Sequence, residues 1–117
     1  MLVAATLVQS LAVAGGLVLA RRHVTARAVP AWLALAHWAA GGLALLGLAL
    51  SATIGELRGL GMAALPLLLL AGLEGGVLFG FRLRDRRLPA WLIAAHGLTA
   101  IAACALLLSF LMGARAA

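Results

Sequence analysis

Four long apolar runs separated by three short polar breaks organise this chain. The runs extend from Met1 to Ala20, Ala28 to Gly55, Gly59 to Phe81 and Leu88 to Ala114. Each exceeds the ~20 residues that a membrane-spanning helix needs. The breaks are Arg21 to Arg27, Glu56-Leu57-Arg58, and Arg82 to Arg87. Connections this short force consecutive helices to lie as antiparallel neighbours. The pattern predicts an all-α protein: a single transmembrane domain over residues 1–117, built as an up-down four-helix bundle with helices at about 1–20, 30–54, 60–81 and 89–113. Pro30 and Pro89 each follow an Arg-rich break and suit the first turn of a helix, where a missing N–H costs nothing. Pro66 falls inside the third run and should bend it modestly. Trp32 and Trp91, two residues past their prolines, match the interfacial aromatic position.

Composition agrees with this reading and closes off others. With 66% apolar residues, 10% charged and a mean hydropathy of +1.18, the chain cannot clothe a water-soluble domain, nor carry a large extramembrane one. The net charge of +6 comes from arginine alone, set against Glu56, Glu74 and Asp85. Because the arginines bracket apolar runs, they read as topology determinants and contacts to anionic lipid of the bilayer, and no nucleic-acid partner is expected. The first and third breaks hold seven arginines (Arg21, Arg22, Arg27, Arg82, Arg84, Arg86 and Arg87), against Arg58 and Arg115 on the other side. By the positive-inside rule, loops 21–27 and 82–87 face the cytoplasm and both termini face out, as expected in a bacterial inner membrane. The first run has its charge cluster after it rather than before, the wrong order for a signal peptide. Cys104 lies in an apolar run and reads as a small packing residue.

The two halves repeat. Residues 30–37 (PAWLALAH) align without a gap to residues 89–96 (PAWLIAAH), identical at six of eight positions. The first and third helices match more weakly, through Gly15-Gly16-Leu17-Val18-Leu19 against Gly75-Gly76-Val77-Leu78-Phe79, which requires a one-residue shift in the following loop. Each half is then a helical hairpin, and the two halves form a parallel repeat about an axis along the membrane normal.

This repeat places a histidine in each half. His37 and His96 both lie seven residues past their proline, ~10 Å beyond the helix start, and so at one depth. Helices two and four are diagonal in such a bundle, so the two imidazoles can face one another across its core. A haem iron has axial positions on opposite faces of a planar macrocycle, which ligands from opposite helices satisfy. Gly15, Gly16, Gly75 and Gly76 reach the same level on the intervening helices, and Gly41 and Ala100 follow the histidines one turn later, a pattern that leaves room for a flat ring.

On these residues the chain resembles the haem-binding four-helix core of membrane b-type cytochromes, in which diagonal helices supply paired histidines and the intervening helices carry glycines beside the ring. The resemblance implies one non-covalent haem b per chain, ligated by His37 and His96, with Gly15, Gly16, Gly75 and Gly76 at ring-contact positions. It departs from the di-haem members, which carry a second histidine about thirteen or fourteen residues along each ligand helix; here those places hold Leu50 and Ser51, and Ser109 and Phe110. A single haem near the cytoplasmic side implies electron exchange with quinone or a partner redox protein, and, for an enzyme, a quinone-linked oxidoreductase. Its propionates would point toward the cytoplasmic loops, where Arg22 and Arg82 are candidate partners, with Arg27 and His23 nearby.

The same residues allow alternatives. Each histidine can instead be a neutral packing residue bonded to a backbone carbonyl. Glu74, eight residues before Arg82, sits near the histidine level where a carboxylate is expensive; it is a candidate second-shell acceptor, proton-exchanging group or dimer contact. With His37 and His96 it would form a two-histidine, one-carboxylate metal centre. A small four-helix proton- or metal-coupled transporter using Glu74 is the rival function. No Cys-x-x-Cys-His run is present for covalent haem, and no constellation suits hydrolysis. One bundle of this size encloses little volume, which favours a homodimer or a partner subunit.

Overall fold

The structure is a computed structural model; it describes residues 1–116, with side chains through residue 114. Four helices follow one another: α1 (Leu2–Val24), α2 (Ala31–Thr53), α3 (Leu60–Leu83) and α4 (Ala90–Ala116). All four are long and apolar enough to cross a membrane. The side chain of Arg115, assigned above to the termini side, lies outside the described residues.

Pro30 caps α2, and Pro66 lies within α3. The polar breaks are shorter than the sequence suggests, because α1 continues through Arg21, Arg22 and His23 and α3 takes in Arg82. Cations in a last turn oppose the negative end of the helix dipole, so these clusters extend the helices rather than stop them. The stops come instead at Ala26 and Asp85, each left-handed, with φ of 52° and 51°. At the opposite end, Gly55 and Gly59 take positive φ where the chain turns from α2 into α3.

Side-by-side contacts join α1 to α2, α3 to α4, α1 to α4 and α2 to α3, leaving α1–α3 and α2–α4 as diagonals. The result is an elongated bundle of 47 × 22 × 22 Å. Outward-facing leucines such as Leu73 and Leu98 are 70% exposed, a surface that hydrocarbon tolerates and water does not.

Packing is uneven along the bundle. At the end that carries the termini, Leu2, Ala5, Leu48, Leu57, Ala64, Leu68, Ala103 and Leu107 form one buried cluster. Helices approach closely there: a Cβ on Gly47 would lie 3.0 Å from the Ala5 methyl, and one on Gly61 3.1 Å from the Phe110 ring. Thr6 and Ser10 satisfy their hydroxyls on carbonyls one turn back, those of Leu2 and Thr6. Cys104 is buried, with Sγ 3.6 Å from Ser10 Oγ, as a small packing residue at the α1–α4 contact. Toward the arginine end, beyond the turn that holds Ala12 and Ala71, Leu92 is the one buried residue among those described.

Glu56, between α2 and α3, reaches across to the start of α1. Its Oε2 accepts the Leu2 N–H at 2.9 Å, and Oε1 lies 3.5 Å from the terminal ammonium. These donors, the Leu2 N–H foremost, hold the carboxyl below its usual range. A depressed pKa marks a contribution that is present above the ordinary glutamate range near ~4.3 and is lost as pH falls through the lower, folded value. Glu56→Ala should therefore lower the melting temperature in mild detergent at pH 7, and the gap from the parent protein should narrow as pH is taken below ~4; a gap independent of pH would show that the carboxylate is not the cap.

Candidate functional site

The sequence puts His37 on α2 and His96 on α4, and the fold brings them together. Their ring centroids lie 5.9 Å apart, with the planes at 86°, although no backbone approach links the two helices. The imidazoles therefore meet across the α2–α4 diagonal.

Each ring is pinned in the same way. His37 Nδ1 lies 2.9 Å from the carbonyl oxygen of Ala12 on α1, and His96 Nδ1 lies 2.9 Å from that of Ala71 on α3. A carbonyl can only accept, so Nδ1 carries the proton in both rings and donates it; in the neutral ring the lone pair is then on Nε2. Among the described residues neither Nε2 has a hydrogen-bond partner. Both carbonyls come 25 residues before their histidine. The packing alternative foresaw such a bond, but metal-bound histidines make it as well, since it fixes the tautomer and aims the other nitrogen.

Two of the four glycines pack directly against the imidazoles. A Cβ on Gly16 would lie 3.0 Å from His37 Cε1, and one on Gly75 3.1 Å from His96 Cε1. Gly15 stands slightly further off, 3.9 Å from His37 Nδ1, and Gly76 has nothing within 4 Å. Gly76 therefore has no part in seating either imidazole. The packing also removes the one-residue shift: Gly16 and Gly75 perform the same task, at the interval of 59 residues that separates Ala12 from Ala71, Ala26 from Asp85, Pro30 from Pro89 and His37 from His96.

Glu74 does not join the pair. Among the described residues, no three histidine, cysteine or carboxylate side chains come close enough to hold a metal ion, so the two-histidine, one-carboxylate centre is not assembled. Position 74 precedes Gly75 and corresponds, by the same interval, to Gly15. Its Oε2 is buried without a hydrogen-bond partner.

Arg22 and Arg82 converge on the α1–α2 connection. One guanidinium donates to Ala28 O and the other to Val29 O, each at 2.9 Å. These bonds tie the end of α3 to the first loop and use one of five N–H groups on each side chain, leaving the remainder for an anionic group at this end. Sequence reading did not find Ala12 and Ala71, because a backbone carbonyl leaves no mark in residue identity. Nor did it find the stack of Trp38 on Phe79, with centroids 5.7 Å apart and planes at 19°.

A bis-imidazole site can be tested against these dimensions. His37 and His96, 5.9 Å apart between ring centroids and each with Nδ1 already bonded, are the residues that would hold a haem iron through Nε2. Two unpartnered Nε2 atoms, glycines beside both rings and sparse burial toward the arginine end suit such a group. Compared with protein-family models, with curated proteins and with solved structures, the chain matches none.

If Gly16 and Gly75 are seats for anchored rings, a methyl at either position presses on an imidazole Cε1 at 3.0–3.1 Å, and the ring must shift by a few tenths of an ångström while held by its carbonyl. Gly16→Ala and Gly75→Ala should each destabilise by about 1–3 kcal/mol as overpacking does, whereas Gly76→Ala, facing open space, should be neutral or stabilising. Thermal unfolding of the three variants in mild detergent checks the order; equal effects at 75 and 76 would contradict it.

Proposed function

We propose that the chain is a small integral membrane cytochrome that binds one haem b between His37 and His96 and serves electron transfer. The observation that carries this reading is the pair of imidazoles on diagonal helices, each fixed through Nδ1 to a carbonyl of the preceding helix so that Nε2 is free. A haem bound there would supply a one-electron carrier, with its potential set by axial ligands and burial. His37 and His96 hold the iron; Gly16 and Gly75 admit the two rings; Arg22 and Arg82 offer their remaining N–H groups to anionic substituents. In this reading both termini face outward, the arginine loops face the cytoplasm and the two hairpins descend from one duplicated unit. Exchange with a membrane quinone or a redox protein on the cytoplasmic side completes the function.

A second reading draws on the buried, unpartnered Oε2 of Glu74. A carboxyl inside an apolar span is a candidate proton-exchanging group, and a proton-coupled transporter would use it without any cofactor.

The discriminating experiment is a reduced-minus-oxidised visible spectrum of protein purified in mild detergent from haem-supplemented cells, with a pyridine haemochrome to count haem per chain. The cytochrome reading expects a six-coordinate b-type spectrum near one haem per chain, lost in His37→Ala and in His96→Ala. Colourless protein overturns it and turns attention to transport through Glu74; a six-coordinate spectrum retained in either variant removes that histidine as a ligand.

A further inference from the structure

Gly41 and Gly42 stand in the middle of α2 without a packing role. A Cβ on either would meet nothing within 4 Å, whereas Gly16 and Gly75 seat an imidazole and Gly47 meets Ala5. Glycine weakens a helix interior relative to alanine, so an unpacked pair is a soft point in the backbone. Sharp bends in helices occur at such pairs. The positions 59 residues on, in α4, are Ala100 and Ile101. Room for a flat ring one turn past a histidine therefore does not call for glycine.

Burial divides α2 at this pair. Its buried residues, Ala44, Leu48 and Ser51, all follow the glycines, and none precedes them. On α4, by contrast, Leu92 is buried ahead of the histidine, while its counterpart Leu33 is half-buried. The first part of α2 is held by separate contacts instead of a core. His37 donates to Ala12 O, Arg82 donates to Val29 O, and Trp38 stacks on Phe79. The bundle is also open on this side: a trough of about 310 Å³ begins at Gly42 and continues between α2 and α3 along Leu45, Ala49 and Leu65. On the α1–α4 side, Ser10 and Cys104 meet at 3.6 Å.

We propose that residues 31–40 form an arm that pivots at Gly41–Gly42 and carries His37 away from His96, opening the site toward the bilayer, while the better-buried α4 keeps His96 in place. The purpose of the opening rests on the cytochrome reading above. With the ring centroids 5.9 Å apart, a flat macrocycle has no way in between the imidazoles unless one of them moves aside. One histidine is then a fixed post and the other is delivered by the arm. The contacts of His37, Trp38 and Arg82 are the latch that re-forms on closing. From Gly41 to Trp32 the arm is ~13 Å long, so a bend of ~20° moves its tip by about 5 Å.

Trp32 and Trp91 are matching exposed positions near the arginine end of α2 and α4, and Leu50 and Ser109 match in the same way at the packed end. Spin labels on Trp32→Cys/Trp91→Cys and on Leu50→Cys/Ser109→Cys, each in a Cys104→Ser background in lipid nanodiscs without haem, report the two separations by pulsed dipolar EPR. The 32–91 pair should show two separations that differ by about 5 Å, and the 50–109 pair one. Gly41→Ala/Gly42→Ala should leave the 32–91 pair with the shorter separation alone, whereas Gly97→Ala, in equally open space on α4, should change nothing. A single 32–91 separation in the parent protein, or two that persist in the double-alanine variant, overturns the hinge. Two separations at 50–109 do so as well, since the whole bundle then moves. Haemin added to the same samples separates the hinge from the reading it rests on. A six-coordinate spectrum that forms with collapse to the shorter separation, and roughly tenfold more slowly in the double-alanine variant, supports entry through the arm; equal rates overturn that role. Colourless protein in which both separations persist overturns the cytochrome reading and leaves the hinge.

Discussion

The bond from each histidine Nδ1–H to a carbonyl on the preceding helix is the interaction on which the centre of this bundle depends. It joins α1 to α2 and α3 to α4 at the same level, and it does so inside an apolar interior where an unmade polar bond costs the most. Because the acceptor is a helix carbonyl whose own lone pairs can serve two donors, the bond can be added without breaking the helix. Its second consequence is chemical, since a protonated Nδ1 leaves a directed lone pair on each Nε2. One contact both stabilises the hairpin and defines what the site can bind.

Glycine makes this contact possible. Gly16 and Gly75 leave each imidazole room beside its carbonyl, standing where a methyl would press on Cε1. The same device, small residues between helices, closes the termini end, where Gly47 meets Ala5 and Leu48 and Leu107 are wholly enclosed. The packed end fixes the relative positions of the helices.

Only three acidic residues occur in the chain, and their surroundings separate them. Glu56 meets the exposed start of α1 and is held charged by backbone and terminal donors. Asp85 turns the chain at a left-handed position. Glu74 alone has a buried oxygen with no partner, and it stands where the first hairpin has Gly15. The two hairpins share their histidine anchors, while the differences between them, Glu74, Trp38 and Phe79, are the residues free to set a function that two identical halves would lack.

The four helices were legible in the sequence because an apolar run of such length has few other stable forms, and because the prolines and arginine clusters punctuate it. Helix ends were less so: α1 and α3 pass through arginines that the helix dipole welcomes, and stop at left-handed residues with no glycine to announce them. The equal depth of His37 and His96 followed from counting residues from Pro30 and Pro89, since helical rise is constant. Which face each residue presents was not countable in this way. In helices that are apolar all round, no polar stripe marks the outside, so the rotation of each helix, and with it the roles of Gly75 against Gly76 and the isolation of Glu74, was decided by packing. The carbonyls of Ala12 and Ala71, the closed α1–α4 contact and the open α2–α3 trough belong to the tertiary structure alone, because they arise from shape at close approach rather than from the character of any single residue.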